Sequence, residues 1–130
     1  MEINTNPRIL AVEDDAAIRR IIDRSLRSEG YQLDTCVSAE AALPAIAQGD
    51  YSLLLLDVRM TGETGFDLAR RVRAGQAGEH NRALPIVFLT AEADEMSYEQ
   101  SFDVGAQRYL TKPFESTELI ETVSAVLHGE

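Results

Sequence analysis

Short unbroken apolar runs alternate along this chain with longer stretches whose apolar residues recur every three or four positions. The runs are Arg8-Ile9-Leu10-Ala11-Val12, Leu53-Leu54-Leu55-Leu56 and Leu84 to Leu89. Their length and bounding polar residues predict strands buried on both faces, as in the middle of a parallel sheet. Tyr31 to Val37 alternates polar and apolar, which predicts a strand with one wetter face. Gln107-Arg108-Tyr109-Leu110 predicts a short fifth strand. Between them lie helical patterns. Ile18, Ile21, Ile22 and Leu26 share one face, with Arg19, Arg20, Asp23, Arg24 and Arg27 opposite. Asp14 or Asp15 can cap that helix, and Gly30 can end it. Ser38 can cap an alanine-rich helix to about Gln48, with Pro44 expected to kink it or end it early. Phe66, Leu68, Ala69 and Val72 form a third helical face, and residues 93–104 a fourth, weakly apolar one. A fifth, from about Ser116, carries Leu119, Ile120, Val123, Val126 and Leu127.

Residues 1–7 read as a disordered lead-in, and 74–83 as a surface loop. Five strands alternating with five helices predict an α/β fold, a parallel sheet covered on both faces by right-handed crossovers. At 130 residues this is one domain with enough core to stand without staples.

The strand ends carry the candidate chemistry. In such sheets ligands bind at the carboxyl edge. There the first strand presents Glu13 and Asp14, the third Asp57, the fourth Thr90 and the fifth Lys112. Each alone has an ordinary role as a helix start, turn hydroxyl or surface lysine. Their joint placement at four strand ends is the signal. Two carboxylates about 4 Å apart repel by roughly 4 kcal/mol at an effective dielectric near 20, so a cation or a proton belongs among them. Hard oxygen ligands suit Mg²⁺. A metal, an ammonium, a hydroxyl and a carboxylate acceptor are what holding a phosphoryl group requires.

Composition narrows the partners. The formal net charge is −10, so direct binding of nucleic acid is not expected. The single cysteine, Cys36, allows no internal disulfide and fits a reducing compartment, hence the cytoplasm. No apolar run is long enough to insert in a membrane.

Four segments, Ile9 to Asp15, Leu54 to Met60, Phe88 to Ala91 and Gly105 to Phe114, are together specific. In them the chain resembles the receiver domain of two-component response regulators, over residues 8–127, in the manner of the single-domain chemotaxis regulators. The resemblance implies a flavodoxin-like, doubly wound sheet of strand order 2-1-3-4-5. It implies that Asp57 is the phosphoacceptor and Asp14 a direct Mg²⁺ ligand. Glu13 would act beside it, often through water, and the Arg59 backbone carbonyl would complete the site. Thr90 and Lys112 would contact the phosphoryl group, and Tyr109 would be the aromatic switch residue. Arg59 and Glu92 would tune dephosphorylation, the Lys112-Pro113 bond would be cis, and residues 93–127 would form the face that changes. The donor would be a histidine kinase or histidine phosphotransfer protein, the downstream partner a protein meeting the 93–127 face. A receiver over 8–128 without an output domain is expected. The family usually has proline where Thr61 stands, which leaves that loop's conformation open.

Three other functions compete. A Mg²⁺-dependent phosphatase with an Asp nucleophile needs a second acid where Arg59 stands. A flavin module needs a hydroxyl-rich phosphate loop where Glu13-Asp14-Asp15 stands. A degenerate receiver would lack phosphorylation residues that are all present here.

Overall fold

Four consecutive leucines can be buried together only where both faces of a strand are covered, and that is where the fold puts them. The structure, a computed structural model, describes residues 6–60, 62–91 and 103–129. β3 (Leu53–Asp57) lies at the centre of a five-stranded parallel sheet of order β2-β1-β3-β4-β5. The other strands are β1 (Arg8–Val12), β2 (Gln32–Cys36), β4 (Ile86–Thr90) and β5 (Arg108–Thr111). Leu53, Leu54, Leu55 and Leu56 are all 0% exposed. Each contributes about 1.5–3 kcal/mol through burial, so this strand is a major anchor of the fold.

The alternation of side chains along the strands divides the core in two. Leu10, Val12, Leu54, Leu56, Ile86 and Phe88 face α2 (Ala39–Gln48) and α3 (Gly65–Arg73). Ile9, Ala11, Leu53, Leu55, Val87 and Leu89 face α1 (Ala16–Ser28) and α4 (Ser116–His128). Four helices therefore stand among the described residues, not five. The remaining one, expected over 93–104, falls on residues that are almost all outside them.

Several expectations need correcting. α2 runs through Pro44 to Gln48. Proline removes the bond to the Glu40 carbonyl, but both residues are exposed, so water can take that carbonyl. Ile21 is 44% exposed, because α1 buries the stripe of Ile22, Ser25 and Leu26 and Ile21 lies one residue off it. β4 starts at Ile86 rather than Leu84, since Pro85 has no N–H to enter the ladder. Pro7 is no loose lead-in: its carbonyl accepts from Gln32 N at 3.0 Å.

The segment 74–83 is also more than a surface loop. It folds into a 3-10 turn, Glu79–Asn81, and Asn81 is buried with Nδ2 donating to the carbonyls of Ile46 and Ala77. Arg73, at the end of α3, pins this segment. Its guanidinium donates to Val104 O at 2.7 Å and to Arg82 O and Leu84 O, each at 2.8 Å. One side chain thus braces the starts of both β4 and β5. Arg73→Met should lower stability by about 2 kcal/mol, since partly buried carbonyls lose charged donors. Urea unfolding should show a lower midpoint at unchanged m-value.

Candidate functional site

The register of the sheet builds the site. Val12 pairs with Leu56, Leu56 with Phe88, and Phe88 with Tyr109. The next residues along β1 and β3 are Glu13 and Asp57, level at the carboxyl edge. Side chains alternate, so Glu13 follows Ile9 and Ala11, and Asp57 follows Leu53 and Leu55. Lys112, two past Leu110, comes out on this same face. Thr90 follows Ile86 and Phe88 to the opposite face, where Tyr109 also packs, half-buried, against the core.

The geometry on the first face is tight. Lys112 Nζ lies 2.8 Å from Glu13 Oε1 and 3.1 Å from Asp57 Oδ1. Carboxylate oxygens of Glu13, Asp14 and Asp57 all lie within 4.8 Å of one another. Asp14 is exposed, whereas Glu13 is 0% and Asp57 3% exposed. Three local bonds fix the turn between β1 and α1. Glu13 N donates to Cys36 O at 3.0 Å, Asp15 N to Glu13 Oε2 at 3.2 Å, and Arg19 Nη1 to Glu13 O at 2.8 Å. Asp15 then caps α1, accepting from Ala17 N and Ile18 N. Asp57 Oδ1 also accepts from Arg59 N at 3.4 Å.

Burial pushes the Glu13 carboxyl up from its ordinary 4.5 to about 7; Lys112 opposes this and the Asp57 charge adds to it. Burial alone would lower the Lys112 ammonium, but Glu13 and Asp57 outweigh it and hold it above its ordinary 10.5. Among the described residues, Glu13 Oε1 is buried with no aligned hydrogen-bond donor. Lys112 approaches it as a charge, outside hydrogen-bond alignment. A buried carboxylate oxygen left in that state, beside two more carboxylates, fits a hard cation.

The structure therefore gathers Glu13, Asp14, Asp57 and Lys112. It sets Thr90, 3% exposed, at the adjacent strand end, and its carbonyl accepts from Lys112 N at 2.6 Å. Arg59 is exposed at the rim. Glu92, expected to tune dephosphorylation, and Thr61 lie outside the described residues. The Lys112-Pro113 bond is cis.

Two residues at the site had no sequence signal strong enough to single them out. One is Arg19, which reads as solvent-facing from helical period alone. The other is Gly65. A Cβ there would stand 2.3 Å from the Asp57 carbonyl oxygen, so α3 can begin against the Asp57 backbone only with glycine. The Thr64–Asp67 capping box that starts α3 is legible in the sequence, but the closeness of its first residue to Asp57 is not.

A family model described as response regulator receiver domain matches residues 9–124. The chain belongs to the response regulator receiver domain family. Such receivers belong to two-component systems, where phosphorylation activates signalling. Among curated proteins the receiver is 33% identical over 127 residues to the transcriptional regulatory protein ResD of Bacillus subtilis, covering 98% of this chain and 50% of the relative. It is 34% identical over 127 residues to RprY of Bacteroides fragilis, covering 98% and 52%. The receiver thus spans about half the length of the curated relatives it matches. Among solved structures it resembles chemotaxis protein CheY4 of Vibrio cholerae, with TM-score 0.88 and 29% identity, over 95% of this chain and 100% of that one. It also resembles the receiver domain of a sensor histidine kinase from Pseudomonas aeruginosa, described with a magnesium ion coordinated in its active site cleft. There the TM-score is 0.85 and the identity 30%, over 95% and 99% of the two chains. No helix among the described residues is long and apolar enough to cross a membrane.

The raised Glu13 carboxyl gives a pH dependence with a definite sign. The unfolded chain releases this proton near 4.5 and the folded receiver near 7. Between those values the folded state binds more protons, so this group's contribution falls as pH rises through the window and levels off above it. Without metal, the urea midpoint of wild type relative to Glu13→Gln should decline from pH 4.5 to 7. A difference flat across that window would show that Glu13 ionises normally.

Proposed function

We propose that this receiver accepts a phosphoryl group on Asp57 from the phosphohistidine of a sensor histidine kinase or histidine phosphotransfer protein, in the cytoplasm. The observation that carries it is the arrangement at one sheet edge: Asp57 with Lys112 Nζ at 3.1 Å and with oxygens of Glu13 and Asp14 within 4.8 Å. In the transfer, an Asp57 carboxylate oxygen bonds to phosphorus as the phosphorus–nitrogen bond of the donor breaks. The imidazole nitrogen leaves with that electron pair, and Asp57 becomes an acyl phosphate. Glu13, Asp14, Asp57 and the Arg59 backbone carbonyl would hold Mg²⁺, which when bound supplies positive charge for the phosphoryl oxygens. Lys112 has a donor aimed at the same place and can pass from Asp57 Oδ1 to a phosphoryl oxygen. The Arg59 N–H keeps the acceptor carboxylate oriented.

An apolar cleft of about 230 Å³ opens beside this edge, lined by Ile18, Ile21, Lys112, Pro113 and Phe114. It gives the donor protein a place to rest next to the acceptor. Thr90 and Tyr109 share the other face, one strand apart, so a Thr90 hydroxyl drawn toward a new phosphoryl oxygen frees space that Tyr109 can take. Such a shift would carry the signal to a downstream protein on the 93–127 face, limited by the differential contacts of the two states. Intrinsic hydrolysis, tuned at the Arg59 and Glu92 positions, would reset the receiver.

Incubated with a small phosphodonor and Mg²⁺, the protein should gain the mass of one phosphoryl group, and Asp57→Asn should gain none. Undiminished labelling of that variant would place the acceptor elsewhere. Mg²⁺ should also raise the melting temperature, since the cation relieves repulsion among Glu13, Asp14 and Asp57. At 100 times its dissociation constant the gain is about 2.7 kcal/mol if the unfolded chain binds none. A melting temperature indifferent to millimolar Mg²⁺ would overturn the metal reading.

A further inference from the structure

The β1–α1 turn carries two of the three clustered carboxylates. Glu13 lies one residue past β1, and Asp14 is outside any regular element. Two of the turn's ties are local or in the ladder: Glu13 N to Cys36 O, and Asp15 N to Glu13 Oε2. The third comes from a charged side chain six residues on. Arg19 Nη1 donates to Glu13 O at 2.8 Å in a part-buried setting. Helical spacing puts Arg19 on the polar side of α1, yet its side chain turns back over the first turn, as long helical side chains do. Arg19 N is itself bonded to Asp15 O at 3.0 Å, so the helix that carries the guanidinium starts within the turn it restrains.

We propose that Arg19 is a positioning residue of the acceptor site, holding the Glu13 peptide so that the carboxylates of Glu13 and Asp14 face Asp57. The inference rests on the phosphoacceptor reading above. A peptide carbonyl bonded to a guanidinium cannot rotate, so the carboxylates on either side of it keep their spacing. The charge also helps, since a charged donor makes a stronger bond than a neutral one. Supports of this kind, one bond behind the ligands, typically change metal affinity by about 10–100-fold when removed.

The test compares Mg²⁺ affinity in solution, read from amide chemical shifts, for wild type, Arg19→Met, Arg19→Lys and the exposed neighbour variant Arg20→Met. Arg19→Met should bind Mg²⁺ about tenfold more weakly. Arg19→Lys, which keeps the charge and a donor, should recover most of that loss. Arg20→Met, which removes the same charge without touching the Glu13 carbonyl, should match wild type. Phosphorylation by a small donor should follow: Arg19→Met should need more Mg²⁺ for half-maximal rate but reach the wild-type rate at saturation. Wild-type affinity in Arg19→Met would overturn the proposal, as would equal losses in Arg19→Met and Arg20→Met, which would reduce the effect to charge. If Arg19→Met does not fold, Arg19→Gln decides, since its amide is too short to reach in the same way; weaker binding supports the proposal and wild-type affinity sinks it. Failure of the wild type itself to bind Mg²⁺ or take a phosphoryl group would instead overturn the parent reading.

Discussion

Three carboxylates at one edge of a sheet repel one another, and Lys112 is the cation the fold sets against them. Its ammonium touches both Glu13 and Asp57, and it is reached only through β5 and the backbone bond from Lys112 N to Thr90 O. Everything else at the edge is arranged around that balance. The leucines of β3 carry Asp57 into a nearly dry position, where its charge is felt strongly. Glu13 goes further inside and holds its proton up to about pH 7. The receiver thus keeps a buried carboxylate oxygen without an aligned donor, a local cost that the apolar strands offset. That imbalance suits a cation.

Much of this was legible in the sequence. Unbroken apolar runs could only be central strands, and a parallel sheet with known strand ends brings Glu13, Asp14, Asp57, Thr90 and Lys112 to one edge without any distance being known. The parts that were not legible share a cause. Periodicity states which face a residue starts on, but not how far its side chain reaches or how closely two backbones approach. Arg19 and Arg73 both look like surface arginines, yet each binds backbone carbonyls behind its own helix. Gly65 looks like a loop glycine, yet it is the one residue small enough to lie against the Asp57 carbonyl. Pro44 looks like a helix breaker, which it is not where the freed carbonyl faces water. Direct contact of Lys112 with Glu13 was likewise hidden, because resemblance assigns that lysine to the phosphoryl group.

The sheet also acts as a partition. Glu13, Asp57 and Lys112 lie on the α1 and α4 side, and Thr90 and Tyr109 on the α2 and α3 side. The two groups come together at the carboxyl edge, where Lys112 N donates to the Thr90 carbonyl.

That partition makes the chain unequally tolerant of insertions and deletions. A residue added between Gly75 and Arg82 disturbs the buried bonds of Asn81 but leaves every strand in phase. A residue added inside β4 or β5 reverses which side each later side chain faces. In β5 it would swing the lysine ammonium to the α2 and α3 side and bring a threonine hydroxyl round to face Asp57. Composition, charge and hydrophobicity would hardly change, yet the edge would have lost its cation. For this fold the count of residues along a strand carries as much information as their identity.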